Sequence, residues 1–255
     1  MSKRIVIFGA TSAIATEVAK RYATERGGER GPISLHLVGR NPAKLAEVVA
    51  ACDAKGARVT QECADFDHLE ANEGVVARAL DTLGGVDVAL IAHGDLGNQL
   101  ASERSFAAAE ATLRTNFLSV VSLLVPLANA CEAARHGTIG VITSVAGERG
   151  RPRNYTYGAA KGALSIYLQG LRTRLYAADV AVTTLKLGPV DTPMTRDHAK
   201  HLLFGQPHAV ARDIVNALDA RIAEAFVPGY WAAIMPVVKN TPEWIFQKLP
   251  FLSGR

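Results

Sequence analysis

Cysteine is scarce in this chain: Cys52, Cys63 and Cys131 stand apart, with no CxxC pair and no Cys/His spacing of a metal site. Such an odd, scattered set excludes a disulfide framework, predicts no metal and points to a reducing compartment, the cytoplasm by default. Basic residues form no long Lys/Arg tract. The net charge of +4, with a pI near 9.0, is therefore too diffuse to predict nucleic-acid binding. No unbroken run of about 18 apolar residues occurs, which predicts no membrane-spanning segment. The apolar run after Met1-Ser2-Lys3-Arg4 is too short for the core of a signal peptide. Internal repeats and low-complexity linkers are also missing, so residues 1–255 are expected to form one domain.

What is present is an alternation of short β-branched runs with longer, Ala-rich stretches of helical period. Strands are predicted over 5–8, 34–38, 58–62, 86–92, 137–143 and 180–187. Helices are predicted over 13–26, 42–55, 69–83, 105–135, 157–178 and 209–225. Continuous apolar strands separated by helices imply a parallel sheet buried on both faces. Right-handed crossovers then yield a doubly wound α/β Rossmann fold in three layers. Residues 27–32 read as a loop, 192–207 as a flap, and 226–255 as an apolar, aromatic extension.

The first strand runs into Gly9-Ala10-Thr11-Ser12-Ala13-Ile14 and then the first helix. Small residues there let backbone N–H groups at a helix N-terminus approach a pyrophosphate, and Thr11 and Ser12 can add hydroxyl donors. A plain strand-to-helix turn has the same pattern. After the second strand stands Arg40, where an NAD-preferring fold usually has a carboxylate for the ribose 2′-hydroxyl. A planar guanidinium suits a 2′-phosphate, so NADP(H) is favoured over NAD(H).

Tyr157 and Lys161 are spaced i and i+4, on one face of a helix, and Ser144 lies thirteen residues before the tyrosine. An ammonium at that place favours the phenolate, which predicts a tyrosine pKa drawn down for acid/base work. Ser144 then supplies a hydrogen bond to a substrate oxygen. Tyr155 lacks such a partner, because residue 159 is alanine.

With Thr143-Ser144-Val145-Ala146-Gly147 ahead of Tyr157-Gly158-Ala159-Ala160-Lys161, the chain resembles the short-chain dehydrogenase/reductase family over about residues 4–225. The resemblance implies a catalytic set of Asn116, Ser144, Tyr157 and Lys161, with Asn116 supporting a water-mediated proton relay. It also implies that Lys161 binds the nicotinamide ribose, and that Asp65, with Phe66 beside it, meets the adenine. Val190 and Thr192 would hold the carboxamide, while Ala92 and Gly94 would line the cofactor. Helices carrying Asn116 and Tyr157 would build a homodimer or homotetramer. This chain departs from the family pattern at three places. Alanine replaces glycine at 13 and 15, and the usual Asn-Ala-Gly is Ala92-His93-Gly94, with His93 expected as a loop residue near the cofactor.

Between Ser144 and Tyr157, Arg149, Arg151 and Arg153 crowd five residues. Arg149 and Arg151 are candidates to clamp an anionic small-molecule substrate; a solvated basic loop fits equally. The extension, with Trp231, Trp244, Lys239 and Lys248, suits a lid, a subunit interface or peripheral membrane contact. Loop and extension together look like those of decaprenylphosphoryl keto-pentose reductases, which implies a phosphate-borne keto-sugar, free or lipid-linked, in surface-polysaccharide synthesis. A small unphosphorylated ketone or alcohol is the alternative substrate, and a non-catalytic dinucleotide sensor the alternative class.

Overall fold

The computed structural model describes residues 2–24, 33–53, 55–196, 200 and 202–249. Seven strands form one sheet: β1 (Lys3–Phe8), β2 (Ile33–Gly39), β3 (Arg58–Cys63), β4 (Val88–Ile91), β5 (Thr138–Ser144), β6 (Ala181–Leu187) and β7 (Glu224–Val227). Their order is β3-β2-β1-β4-β5-β6-β7, with every pairing parallel. The helices are α1 (Ala13–Thr24), α2 (Pro42–Asp53), α3 (Asn72–Leu83), α4 (Gln99–Ser102), α5 (Phe106–Leu113), α6 (Ser119–Ala134), α7 (Tyr155–Leu175), α8 (Pro207–Asp219), α9 (Trp231–Asn240) and α10 (Glu243–Phe246). The loop expected at 27–32 lies outside the described residues, as does part of the 192–207 segment.

Two apolar clusters cover the sheet. On one face, Val18, Tyr22, Leu45, Ile214 and Leu218 meet Ile5, Ile7 and Leu35. On the other, Val75, Leu123, Leu127, Leu164 and Leu168 meet Val6, Phe8 and Ile139. Parallel strands buried on both sides need apolar residues at successive positions, and Ile5 to Phe8 are all fully buried. The order reverses between β1 and β4, so their C-terminal ends open the crevice where such sheets bind ligands.

Two sequence expectations change. Residues 209–225 are not one helix: α8 ends at Asp219, Arg221 adopts φ 54°, and β7 follows. No glycine marks that stop; the left-handed residue is an arginine, held by its ion pair with Asp179. The second change concerns membranes. Residues 106–134 form a continuous helix, α5, a π-helical turn (Arg114–Leu118) and α6, long and apolar enough to cross a membrane by length and composition. Arg114 and Asn116 interrupt the apolar run, which hides it from a scan for unbroken stretches. Here Val120, Leu123, Leu124 and Leu127 pack in the core.

The described part of the extension, residues 226–249, folds back onto the domain. Trp231, Met235, Val238 and Phe246 pack around Val145, the residue after Ser144. Arg149 locks this arrangement, donating to the carbonyls of Val238 (2.8 Å) and Thr241, pairing with Glu243 (2.7 Å) and lying 3.9 Å from the Phe246 ring centroid. A substrate clamp is therefore the wrong role for Arg149. Its fork is filled by carbonyls at the C-terminal end of α9, where a cation is favoured. Arg149→Ala is expected to destabilise the protein by about 2–3 kcal/mol, from the charge-assisted hydrogen bonds lost, measured by urea unfolding. An unchanged midpoint would show that these contacts add nothing to stability.

Candidate active site

The turn after β1 can approach a ligand because Gly9 has φ +85°, and a Cβ there would lie 2.6 Å from the His93 backbone nitrogen. Ser12 Oγ accepts from Ala15 N (3.1 Å), and the earlier N–H groups of α1 have no intrahelical acceptor. Thr11, Ser12, Ala13 and Ile14 line a cavity of about 440 Å³ beside Gly9. Ala15 turns inward and is fully buried, so its extra methyl packs in the core rather than against a ligand. At the ends of β2 and β3 the cavity meets Arg40, Asp65 and Phe66. Lys44, in the first turn of α2, joins them; the sequence reading missed it, although it stands four residues after Arg40. No carboxylate stands at the Arg40 position.

The opposite end of the cavity holds the groups expected to be catalytic. Ser144 ends β5, its Oγ accepting from Ala146 N (3.1 Å) and donating to the Leu187 carbonyl (3.3 Å). Helix α7 presses on the turn Val145–Gly147 with glycine on both sides. A Cβ on Gly147 would lie 2.7 Å from Gly162 N, and one on Gly158 2.7 Å from the Ala146 carbonyl oxygen. This close approach brings Tyr157 within hydrogen-bonding reach of Ser144. Lys161, 2% exposed, donates to the Ile142 carbonyl (3.2 Å), with Nζ 5.8 Å from the Tyr157 ring centroid.

The electrostatics differ from the sequence expectation. Burial pushes the Tyr157 phenol up to about 12, Asp95 adds to the rise, and the hydrogen bond with Ser144 opposes it. Burial likewise brings Lys161 down to about 8 against the pull of Asp95. Desolvation thus outweighs the hydrogen bond from Ser144, and the neutral phenol is the resting form.

Asn116 sits in the π-helical turn, fully buried, its Nδ2 donating to the Thr112 carbonyl (3.0 Å) and its Oδ1 accepting from Asp95 N (3.2 Å). Such a bulge is a common device for aiming a functional side chain. Ala92, His93 and Gly94 continue from β4 along the cavity wall. His93 Nε2 lies 2.7 Å from Ser119 Oγ, and that hydroxyl donates to the Thr115 carbonyl (2.7 Å). The imidazole is therefore the Nε2 donor, and its buried Nδ1 is an acceptor without a partner among the described residues. Burial takes its pKa down to about 3, so His93 is neutral and no general acid. Val190 and Thr192 close the far side, pinned by Thr195, whose Oγ1 donates to the Val190 carbonyl (2.6 Å). Neither Arg149 nor Arg151 lines the cavity.

A dinucleotide fits these residues: close approach at Gly9, free N–H groups at the start of α1, cations at Arg40 and Lys44, and an unfilled acceptor at His93. A family model described as short chain dehydrogenase matches residues 3–202. The chain belongs to the short-chain dehydrogenase/reductase family. An uncharacterised oxidoreductase of Mycobacterium tuberculosis is 32% identical over 248 residues, 96% of each chain. Another, from Streptomyces coelicolor, is 30% identical over 251 residues, covering 97% of this chain and 96% of that one. A hydroxysteroid 11-beta-dehydrogenase 1-like protein of Gallus gallus is 29% identical over 234 residues, 89% of this chain and 79% of that one. Among solved structures, a protein assigned as a short-chain alcohol dehydrogenase of Sinorhizobium meliloti shares the fold, with a TM-score of 0.79 and 22% identity over 91% of this chain and 98% of that one. This short-chain dehydrogenase/reductase is an oxidoreductase that uses a nicotinamide dinucleotide, which when bound supplies or accepts a hydride.

Proposed function

We propose that the protein is an NADP-dependent reductase of a keto group, with Tyr157 as its acid/base. The observation that carries this reading is the convergence of Ser144, Tyr157 and Lys161 on one cavity wall, with Asn116 behind them. In reduction the Tyr157 hydroxyl gives its proton to the carbonyl oxygen, and the Ser144 hydroxyl steadies that oxygen from the other side. Lys161 holds positive charge beside the phenolate formed, and Asn116 lines the route by which a proton returns. The reverse reaction oxidises the alcohol.

Arg40 and Lys44, with no carboxylate at the Arg40 position, support NADP(H) over NAD(H). Arg40→Asp is expected to lower the NADPH preference about 10- to 100-fold, the loss of one charged hydrogen-bonding partner. Dissociation constants for NADPH and NADH measure this; an unchanged ratio would remove Arg40 from cofactor selection.

For the substrate, a phosphate-borne or lipid-linked keto-sugar is supported by Arg151. Burial lowers the pKa of its guanidinium, and among the described residues no acidic group pairs with it. Such a cation is costly to bury alone, and an anion would offset that cost. The second reading, a small unphosphorylated ketone, is favoured by the absence of both loop arginines from the cavity wall. NADPH oxidation across keto-sugar phosphates and plain ketones, with Tyr157→Phe as the blank, separates the two. The same reading carries a cytoplasmic homo-oligomer through α5–α7, supported by exposed Leu118, Val125 and Ile166. Peripheral membrane contact through exposed Val237 and Trp244 belongs to the lipid-linked version.

A further inference from the structure

Asp95 is a carboxylate that neither the cofactor reading nor the Tyr157 chemistry absorbs. It lines the cavity with Ser144, Tyr157 and Lys161, and its charge acts on both of the last two. The loop that carries it is fixed at several points. Gly94 has φ +150°, and a Cβ there would lie 2.6 Å from Asn116 Oδ1 and 3.3 Å from Lys161 Nζ. Asp95 N donates to Asn116 Oδ1 (3.2 Å). Gly97 packs so closely on α5 that a Cβ would fall 2.3 Å from Thr112 Oγ1. Two residues on, Gln99 Oε1 accepts from Thr156 N (3.0 Å), beside Tyr157 in the first turn of α7. One loop is thus tied to both the asparagine and the tyrosine of the reacting set.

Only part of the Asp95 carboxylate is used by the protein. Oδ1 accepts from Gly97 N (2.9 Å), while among the described residues Oδ2 accepts no hydrogen bond and no cation pairs with the group at ion-pair distance. A carboxylate facing a cavity with a free oxygen asks for a donor. The nearby Lys161 ammonium already offsets its charge, and a second cation would meet that lysine's repulsion. A neutral hydroxyl meets neither objection. We infer that Asp95 is a specificity-determining residue that accepts a hydrogen bond from a substrate hydroxyl neighbouring the reacting carbonyl, so that hydroxy ketones are selected over plain ones. The inference rests on the carbonyl-reductase reading above and narrows its substrate class to ketones with a hydroxyl next to the keto group, which a keto-sugar carries and a plain ketone lacks.

The test is the ratio of kcat/KM for acetoin to that for butanone, a pair differing by one hydroxyl, in wild type, Asp95→Asn and Asp95→Ala. Wild type is expected to prefer acetoin by about ten- to a hundredfold, the range of a hydrogen bond to a charged group. The ratio is expected to fall towards one in Asp95→Ala and to lie between in Asp95→Asn, whose amide oxygen still accepts. A structural role alone would lower both ketones together and leave the ratio fixed, which overturns the inference. So does a wild-type protein that reduces butanone as well as acetoin, or that reduces neither while reducing other ketones; each leaves the proposed function standing. A protein that reduces no ketone with either dinucleotide contradicts both.

Discussion

Tyr157→Phe is expected to lower the rate of ketone reduction by about 10²- to 10⁴-fold, the range of general acid–base catalysis. The ring still fills its place in α7, so the loss isolates the hydroxyl. The pH profile gives an independent sign. The Tyr157 phenol, pushed up to about 12, stays protonated and able to donate across the neutral range. Lys161, brought down to about 8, gives up its proton as pH climbs through that value. Reductive kcat/KM is therefore expected to hold at neutral pH and to fall as pH rises through about 8. A rate that climbs through that window, or a Tyr157→Phe variant of full activity, would remove this acid from the chemistry.

The second large effect is on stability. Lys186 lies within β6, 5% exposed, and pairs with Glu148 (2.8 Å) and Glu224 (3.0 Å). These pairs join the loop after β5 to the edge strand β7. Removing the lysine leaves Glu148, whose side chain is 8% exposed, with only Lys239 at 3.4 Å among the described residues. Breaking one side of a buried pair costs about 3–5 kcal/mol, and the more open Glu224 argues for the lower end. Lys186→Met is thus expected to lose about 3 kcal/mol in urea unfolding. Lys186→Met combined with Glu148→Gln is expected to recover part of it, because the stranded charge goes too. The sign with pH follows from Glu224. Burial pushes that carboxyl up, but Lys186, helped by Gln169 and Arg172, holds it below its ordinary range, so its contribution is present above the unfolded pKa and lost as pH falls through the folded one. The acid-side loss should be smaller in Lys186→Met.

Much of the architecture is legible in the sequence because doubly buried strands write themselves as unbroken apolar runs, as Ile5 to Phe8 do. β7 is not legible: Glu224–Val227 is four residues long, and the left-handed residue after α8 is Arg221 rather than a glycine. The π-helical turn that places Asn116 has no residue signature at all. At the site, spacing alone brings Tyr157 and Lys161 together. The depth at which they lie does not follow from spacing, and that burial reverses the expected direction of the tyrosine shift. Arg149 misleads because a cation in a loop looks the same whether it faces a substrate or carbonyls ninety residues away. Asp95 carries no motif; only the cavity wall shows what it faces.

The central claim, hydride transfer to a carbonyl with Tyr157 as the acid, is tested most directly by isotope transfer. NADPH deuterated at the transferable position of the nicotinamide is incubated with the protein and a ketone it reduces, and the alcohol is examined by mass spectrometry. The account predicts one deuterium on the carbinol carbon, formed by the wild type and nearly lost in Tyr157→Phe. NADPH that binds but passes no deuterium to any ketone, or equal transfer by both proteins, would contradict it.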